Sequence, residues 1–218
     1  VIDGDTLRLA DGRSVRLIGI NTPELGRDWR RAEPYAVAAQ RRLQALVNAS
    51  DGRVGLVVGR ERKDRYGRVL AHAYDANGIN LEASLLAEGL GFMVALAPNT
   101  ALVACHQRAE QHGRHERLGV WRKQTPRSPQ SLRQGGFTLI DAKVARVERN
   151  RGGYWVEMDG PLVVHIPVQA FDAFDLRTLD ALIGKRLEPR GWVVDRRGRV
   201  AAGQARWRRL VEPQVAVG

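Results

Sequence analysis

The chain has 218 residues, enough for one large domain or two small ones that each bury a core. Its 35 lysines and arginines against 24 aspartates and glutamates leave a net charge of +11, which excludes an acidic binding scaffold and points to a polyanionic partner. A single cysteine, Cys105, excludes an intrachain disulfide and any paired-cysteine metal or redox site, and no run approaches the roughly 20 apolar residues of a membrane span.

In chain order, Asp3-Gly4-Asp5 reads as a turn leading into strands over 6–10 and 14–20, joined by Asp11-Gly12-Arg13. A polar loop over 25–33 carries Arg27, Trp29, Arg30 and Arg31, placing cations and one stacking aromatic together. Pro34 suits a helix start, and Ala39, Leu43, Leu46 and Val47 follow at helical spacing, the mark of a core-facing stripe. A strand over 54–58 runs into Arg60, Arg62, Lys63 and Arg65 beside Arg68. Such crowded cations repel one another unless an anion offsets them, which favours substrate contact over a merely solvated turn. Strands over 68–74 and 79–81 flank the hairpin turn Asp75-Ala76-Asn77-Gly78, and a helix over 81–88 stops at Gly89. A polar-faced helix is expected over 102–118. Its Cys105, His106, His112 and His115 do not follow a familiar zinc-ligand spacing.

Pro126, Ser128, Pro129, Ser131, Gly135 and Gly136 mark a linker. Strand-like runs follow over 137–147, 154–158, 162–166, 187–194 and 205–211, with a helix-like stretch over 171–183 after the third. That is the order of an OB-type barrel. Tyr154, Trp155, Trp192 and Trp207 lie among Arg149, Arg151, Arg190, Arg206, Arg208 and Arg209, a pattern suited to single strands, whose bases stack while cations follow the backbone. Some of these rings must also fill the core. At least two are expected to be buried, with Trp207 the first candidate, and His165 in an apolar strand is expected to be structural.

Both halves of the chain are basic, with 19 basic and 14 acidic residues before Thr125 and 16 and 10 from it onward. Only Lys63, Lys123, Lys143 and Lys185 are lysines, so 31 cations are arginines, whose planar fork matches phosphate oxygens; a GC-rich genome would raise their number as well.

Three segments carry chemistry: Asp3-Gly4-Asp5-Thr6, the run from Arg16 through Asn21-Thr22-Pro23-Glu24, and Asp64-Arg65-Tyr66-Gly67-Arg68. Phosphodiester hydrolysis needs oxygen ligands for a hard cation, a carboxylate for the attacking water and fixed positive charge for a dianionic transition state. Asp5, Asn21 and Thr22 offer the oxygens, Glu24 the carboxylate, and Arg16 and Arg68 the charge. Taken singly, each segment reads equally well as a turn, a helix start or a solvated strand end.

In their order and spacing the three segments resemble the staphylococcal nuclease (thermonuclease) family, over residues 1 to about 121. The resemblance implies that Asp5 and Asn21 ligate calcium with the Thr22 carbonyl, and that Asp3 orients the metal's waters. It further implies that Glu24 orients or deprotonates the attacking water and that Arg16 and Arg68 bind the scissile phosphate. Further substrate contacts are expected from Lys63, Arg65 and Tyr66 and from Trp29 and Arg30. Two departures stand out. Asn21 replaces the family's usual aspartate, so weaker calcium binding or use of other divalent cations is expected. The stretch Val94-Ala95-Leu96-Ala97 before Pro98-Asn99 lacks the tyrosines that pack the nucleotide in the family, so base preference does not carry over.

The expected fold is mainly β with α: two tandem OB-type β-barrels, the first nuclease-like with about three helices. The boundaries are 1–122, a linker at 123–135, and 136–218. The expected function is calcium-dependent hydrolysis of DNA, RNA or both, the second barrel holding single strands. The alternative is a weak or inactive nucleic-acid-binding module, favoured by Asn21 and the missing tyrosines, and a dimer interface on the second barrel is a third reading. Such a fold normally has a longer strand ahead of Asp3, so residues upstream of Val1 are expected, and the resemblance alone favours a secreted or periplasmic location.

Overall fold

The computed structural model describes residues 1–26, 31–123, 126–173, 179–196, 207–210 and 215–216. At 169, 172, 173, 207–210 and 215–216 it describes the backbone alone, so Trp29, Arg30 and Arg206 and the side chains of Trp207, Arg208 and Arg209 lie outside it. The chain divides into two compact units, Val1–Gln124 and Thr125–Gly218. Among the described residues no helix is long and apolar enough to cross a membrane.

In the first unit, β1 (Thr6–Arg8) and β2 (Ser14–Leu17) form a hairpin in which Thr6 faces Arg16. Alternation along β2 sends Val15 and Leu17 into the core and leaves Ser14 and Arg16 half-buried on the other face. Two segments arrive from far along the chain, β4 (Gly55–Lys63) and β5 (Val69–Tyr74). β5 lies parallel to β2, with Val15 opposite Val69 and Arg16 opposite Leu70, and antiparallel to β4, for an order β1-β2-β5-β4. A separate ribbon pairs β3 (Ile20–Asn21) with β6 (Phe92–Met93).

The mainly β unit with three helices is as expected, its OB-like strands forming an open sheet and a separate ribbon. The β4–β5 ladder is broken by a register shift between Val58 and Lys63, and among the described residues β4 has no strand on its other side. The bulge is held by Asn99, whose side chain accepts from the Glu61 amide and donates to the Glu61 carbonyl, both at 3.0 Å. Three helices pack on these strands: α1 (Ala36–Asn48), α2 (Leu81–Ala87) and α3 (Val103–His115). Ala36, Ala39 and Leu43 form the buried stripe of α1, and the α2 leucines 81, 85 and 86 close the core against Leu17 and Ile20. Gly89, at φ +68°, ends α2 in the left-handed conformation that suits glycine.

One polar network lies inside this core. Asn80 caps α2 by accepting from the Ala83 amide, and its Nδ2 donates to Glu82 at 2.7 Å and to the Ala73 carbonyl. With the amide so oriented, Asn80 Oδ1 faces His106 Nε2 at 3.0 Å, which makes that nitrogen the donor. Glu82 also accepts from the Ala73 amide and lies 3.1 Å from His72 Nδ1. Burial, then the charge of His72, lowers the His106 pKa to about 4, so His106 is neutral at physiological pH. The unfolded chain takes up this proton near pH 6.5 and the folded protein only near 4. Stability therefore falls as pH drops through that interval, by on the order of 3 kcal/mol from this group. Denaturant midpoints measured between pH 7 and 4 will show the decline, and His106→Gln will flatten it.

In the second unit, β7 (Gly136–Leu139), β8 (Ala142–Asn150), β9 (Gly153–Met158), β10 (Leu162–Pro167), β11 (Arg186–Asp195), β12 (Trp207–Leu210) and β13 (Val215–Ala216) form one network. β8 pairs β9 and β9 pairs β10, while β12 runs parallel to β10 and antiparallel to β11. β11 then returns to β8 through Arg186–Lys143 and Leu187–Ala142. β7 and β13 also pair with β11. Ile140, Val144, Val156, Leu162, Val164 and Ile166 lead the aliphatic core. Within the stretch read as a linker, Leu132 joins that core and the Arg127 amide donates to the Leu139 carbonyl.

Where a helix was expected over 171–183, the described residues form short 3-10 turns at Val168–Ala173 and Asp180–Leu182. Leu179 and Leu182, three apart, both bury, which a tight turn satisfies as well as an α-helix. None of the three aromatics whose side chains are described is buried, so the expected burial of at least two of the four is not met. Tyr154 and Trp155 are half-buried and Trp192 is exposed, because the aliphatic residues fill the interior. His165 is buried, donates to the Gly152 carbonyl and stacks on Trp155 with ring centroids 4.1 Å apart. Arg190, one of the arginines interleaved with the aromatics in the sequence, is buried beside Glu188.

Candidate active site

The Asp3-Gly4-Asp5 turn is held by the Asp5 amide, which donates to Asp3 Oδ1 at 3.0 Å. Gly4 is required by packing: a Cβ there would lie 2.6 Å from the Ala39 side chain and 2.7 Å from Thr22 Oγ1. This close approach of turn, α1 and Thr22 buries the Asp5 carboxylate. Its Oδ2 accepts from the Thr22 amide at 2.9 Å and the Thr22 hydroxyl at 3.1 Å, and its Oδ1 accepts from Thr6 Oγ1.

Arg16 closes the same space from β2. Its Nη2 lies 3.1 Å from Asp5 Oδ2 and donates to Asn21 Oδ1 at 3.4 Å, while Nη1 donates to the carbonyls of Leu17 and Ile20. A cationic nitrogen thus stands between the side-chain oxygens of Asp5 and Asn21. Only 14 % of the Arg16 side chain is exposed, so the guanidinium is fixed in direction and shielded from solvent.

Glu24 stands at the rim. Its surface is open to solvent, yet partial burial, then the charges of Asp5, Asp3 and Glu33, raise its pKa, against which Arg16 acts alone. Glu33 is a neighbour that sequence reasoning missed: its carboxylate accepts from the Glu24 amide and its own amide donates to the Glu24 carbonyl. Burial, then the Asp5 charge, raises the Asp3 carboxyl as well.

These contacts and charges bring Asp3, Asp5, Arg16, Asn21, Thr22 and Glu24 together. A sequence profile of staphylococcal nuclease homologues matches residues 14–123, just over half of the chain. The chain belongs to the staphylococcal nuclease family. It is 33 % identical over 126 residues to the SPbeta prophage-derived endonuclease YokF of Bacillus subtilis (strain 168), covering 56 % of this chain and 42 % of that protein. It is 32 % identical over 126 residues to endonuclease YncB of the same organism, covering 56 % of this chain and 59 % of that one. The thermonuclease of Staphylococcus intermedius is 32 % identical over 126 residues, with 56 % of this chain and 73 % of that protein covered. The chain therefore spans about half the length of the two Bacillus relatives.

Arg68, the second arginine of the family pattern, lies apart from that cluster in its bonding. It follows the β4–β5 turn, where its backbone amide and Nε donate to the two oxygens of Asp64 at 3.0 and 2.7 Å. Parallel pairing of Val15 with Val69 brings the start of β5, and Arg68 just before it, beside β2. Tyr66 is exposed, with the guanidinium carbons of Arg65 and Arg68 at 4.8 and 5.6 Å from its ring centre. Lys63 ends β4 in the same hairpin. Trp29 and Arg30 lie outside the described residues.

Asp64 was part of the sequence motif, but only the fold gives it a task. Burial alone would raise its pKa, yet the side-chain and backbone hydrogen bonds of Arg68, with the Tyr66 amide, outweigh that and hold it low. If Arg68 acts as proposed below, Asp64→Ala is expected to lower turnover about tenfold by releasing it, together with a drop in melting temperature, because the turn also loses the acceptor of its Tyr66 and Arg68 amides. Unchanged turnover would remove Asp64 from the site.

Among the described residues no three His, Cys, Asp or Glu side chains are grouped to hold a metal. The donors that converge are one carboxylate, one amide oxygen and the backbone beside them.

Proposed function

We propose that this chain is a divalent-cation-dependent phosphodiesterase that hydrolyses DNA, RNA or both. The observation that carries the reading is the convergence of Arg16 and Thr22 on Asp5, with Asn21 bonded to the same guanidinium and Glu24 at the open rim. Asp5, Asn21 and the Thr22 carbonyl would hold the cation. An all-oxygen donor set suits a hard ion such as calcium. The neutral amide of Asn21 weakens that hold and leaves the choice among divalent cations broader than with two carboxylates. When bound, the cation supplies charge that draws electron density from the phosphate.

The chain's own residues do the rest. Glu24 accepts a proton from, or aligns, the attacking water. Arg16 and Arg68 place fixed positive charge against the phosphate oxygens as their charge grows. Asp3 holds the turn that presents Asp5. Lys63, Arg65 and Tyr66 meet the strand on one side of the scissile bond, with Trp29 and Arg30 as further contacts.

For the second unit, the strand order β8-β9-β10-β12-β11, with a parallel β10–β12 pair, supports an OB-type barrel spanning 136–218. Trp155, seated on His165, and the Tyr154 ring with Arg149 over it support a stacking surface for single strands. Trp155→Ala is expected to weaken single-strand binding by ~1–3 kcal/mol. Equal affinity in the variant would take this surface out of the reading.

The deciding experiment is degradation of single-stranded DNA, duplex DNA and RNA with calcium, magnesium, manganese or EDTA. Cleavage that requires metal establishes the enzyme, and the substrate ranking shows what the second unit selects. Salt-sensitive binding of single strands without cleavage under any metal would establish the second reading, a nucleic-acid-binding module. Asn21 in place of a carboxylate is the observation that favours that reading.

A further inference from the structure

We propose that His106 is a positioning residue for the Arg16 guanidinium, acting through the turn at Gly19; its catalytic consequence rests on the nuclease reading above. Arg16 Nη1 is seated by two carbonyls, those of Leu17 and Ile20, on either side of this turn. The turn is pinned above by the Ile18 amide on the Ala71 carbonyl and by the Val94 amide on the Gly19 carbonyl. From below it meets His106. Gly19 sits at φ +86°, and a Cβ built on it would lie 2.2 Å from His106 Nδ1 and 2.5 Å from Cε1. The imidazole therefore fills the space a side chain would take.

His106 is itself locked. Its Nε2 donates to Asn80 Oδ1, and Asn80 is held by the Ala83 amide, Glu82 and the Ala73 carbonyl. One turn further along the same face of α3, Glu110 accepts from the Met93 amide at 2.7 Å, and Met93 pairs with Ile20. α3 thus reaches the segment that carries Arg16's acceptors and Asn21 at two points. An aliphatic residue at 106 would fill the space but could rotate. The bonded imidazole presents one fixed edge, so the Leu17 and Ile20 carbonyls keep the spacing that Arg16 needs.

The test compares the full chain with H106L, which removes the donor, and H106Q, which restores one at similar reach. Three readings are taken: kcat and KM on single-stranded DNA at saturating calcium, the nitrogen-15 NMR signal of the Arg16 guanidinium, and thermal unfolding. H106L is expected to remain folded, lose about 30-fold in kcat with KM within threefold, and show a broadened Arg16 signal with faster proton exchange. H106Q is expected to recover to within about threefold of the parent. Folded H106L with unchanged kcat and an unchanged Arg16 signal overturns the proposal. So does H106Q as impaired as H106L. Should H106L not fold, H106M, which fills the space without a donor, is read in the same way. If the parent cleaves nothing under any metal, the nuclease reading falls, and the Arg16 signal alone decides the role of His106.

Discussion

On the proposed mechanism, Arg16→Ala is expected to lower turnover by on the order of 10²–10³ while the protein remains folded, measured as kcat at saturating metal and substrate. The size follows from preorganisation: the guanidinium is held by two backbone carbonyls, Asn21 and Asp5 in a space nearly closed to water. No reorganisation is needed when charge grows on the phosphate, so the loss appears in kcat more than in KM. Arg16→Lys separates charge from geometry. A single ammonium cannot serve both carbonyls and both side-chain oxygens, so lysine recovers only a small part of the rate. Because removal of Arg16 also deprives buried Asp5 of its ion pair, circular dichroism must accompany the kinetics. A folded Arg16→Ala that keeps kcat within threefold would sink the role assigned to this residue.

Glu24→Gln is expected to cost on the order of 10²–10⁴ in kcat, the range for loss of a positioned base. Its pH dependence has a defined sign. Glu24 must be ionised to take a proton, and its pKa is raised by partial burial and by Asp5, Asp3 and Glu33. Activity of the parent therefore rises with pH through a limb above the ordinary glutamate range. Glu33→Gln removes one of the neighbouring charges and shifts that limb to lower pH, with the plateau rate nearly unchanged. A limb that does not move, or one that survives in Glu24→Gln, would assign the titration to another group.

Much of this site is legible in sequence because its chemistry is local. Asp3, Asp5 and Gly4 occupy one turn, and Arg16 and Asn21 sit on either side of a single tight bend, so short spacing already predicts their meeting. The bonds of Arg68 depend on a turn four residues long, and Asp64 at its start was within the motif. What stays hidden depends on distant pairing. Nothing in residues 14–17 announces that their parallel neighbour is 69–71, nor does anything in the sequence pair Glu24 with Glu33, nine positions on. The buried set His72, Asn80, Glu82 and His106 escapes for another reason. Polar residues read as solvated unless their partners are known, and these four find theirs on three separate elements. In the second unit the strand regions were largely readable but their number was not: the run expected over 137–147 divides into β7 and β8, and β13 was not anticipated, so five expected strands became seven. The 3-10 turns replacing an expected helix were hidden too, since leucines three apart suit either.

The open edge of β4 has a further consequence, for how copies of the chain behave toward one another. Val57 and Val58 are exposed on that strand, and unpaired backbone groups beside exposed valines are the ordinary template for edge-to-edge aggregation. Two features oppose it. The bulge held by Asn99 interrupts the straight run, and Arg60, Arg62 and Lys63 crowd the far end with like charge. A second β4 laid against the first would bring these cations into the same small region, where they repel. The crowding proposed to meet a phosphate backbone would thus also oppose edge-to-edge pairing of β4, most strongly at low ionic strength, where the repulsion is least screened.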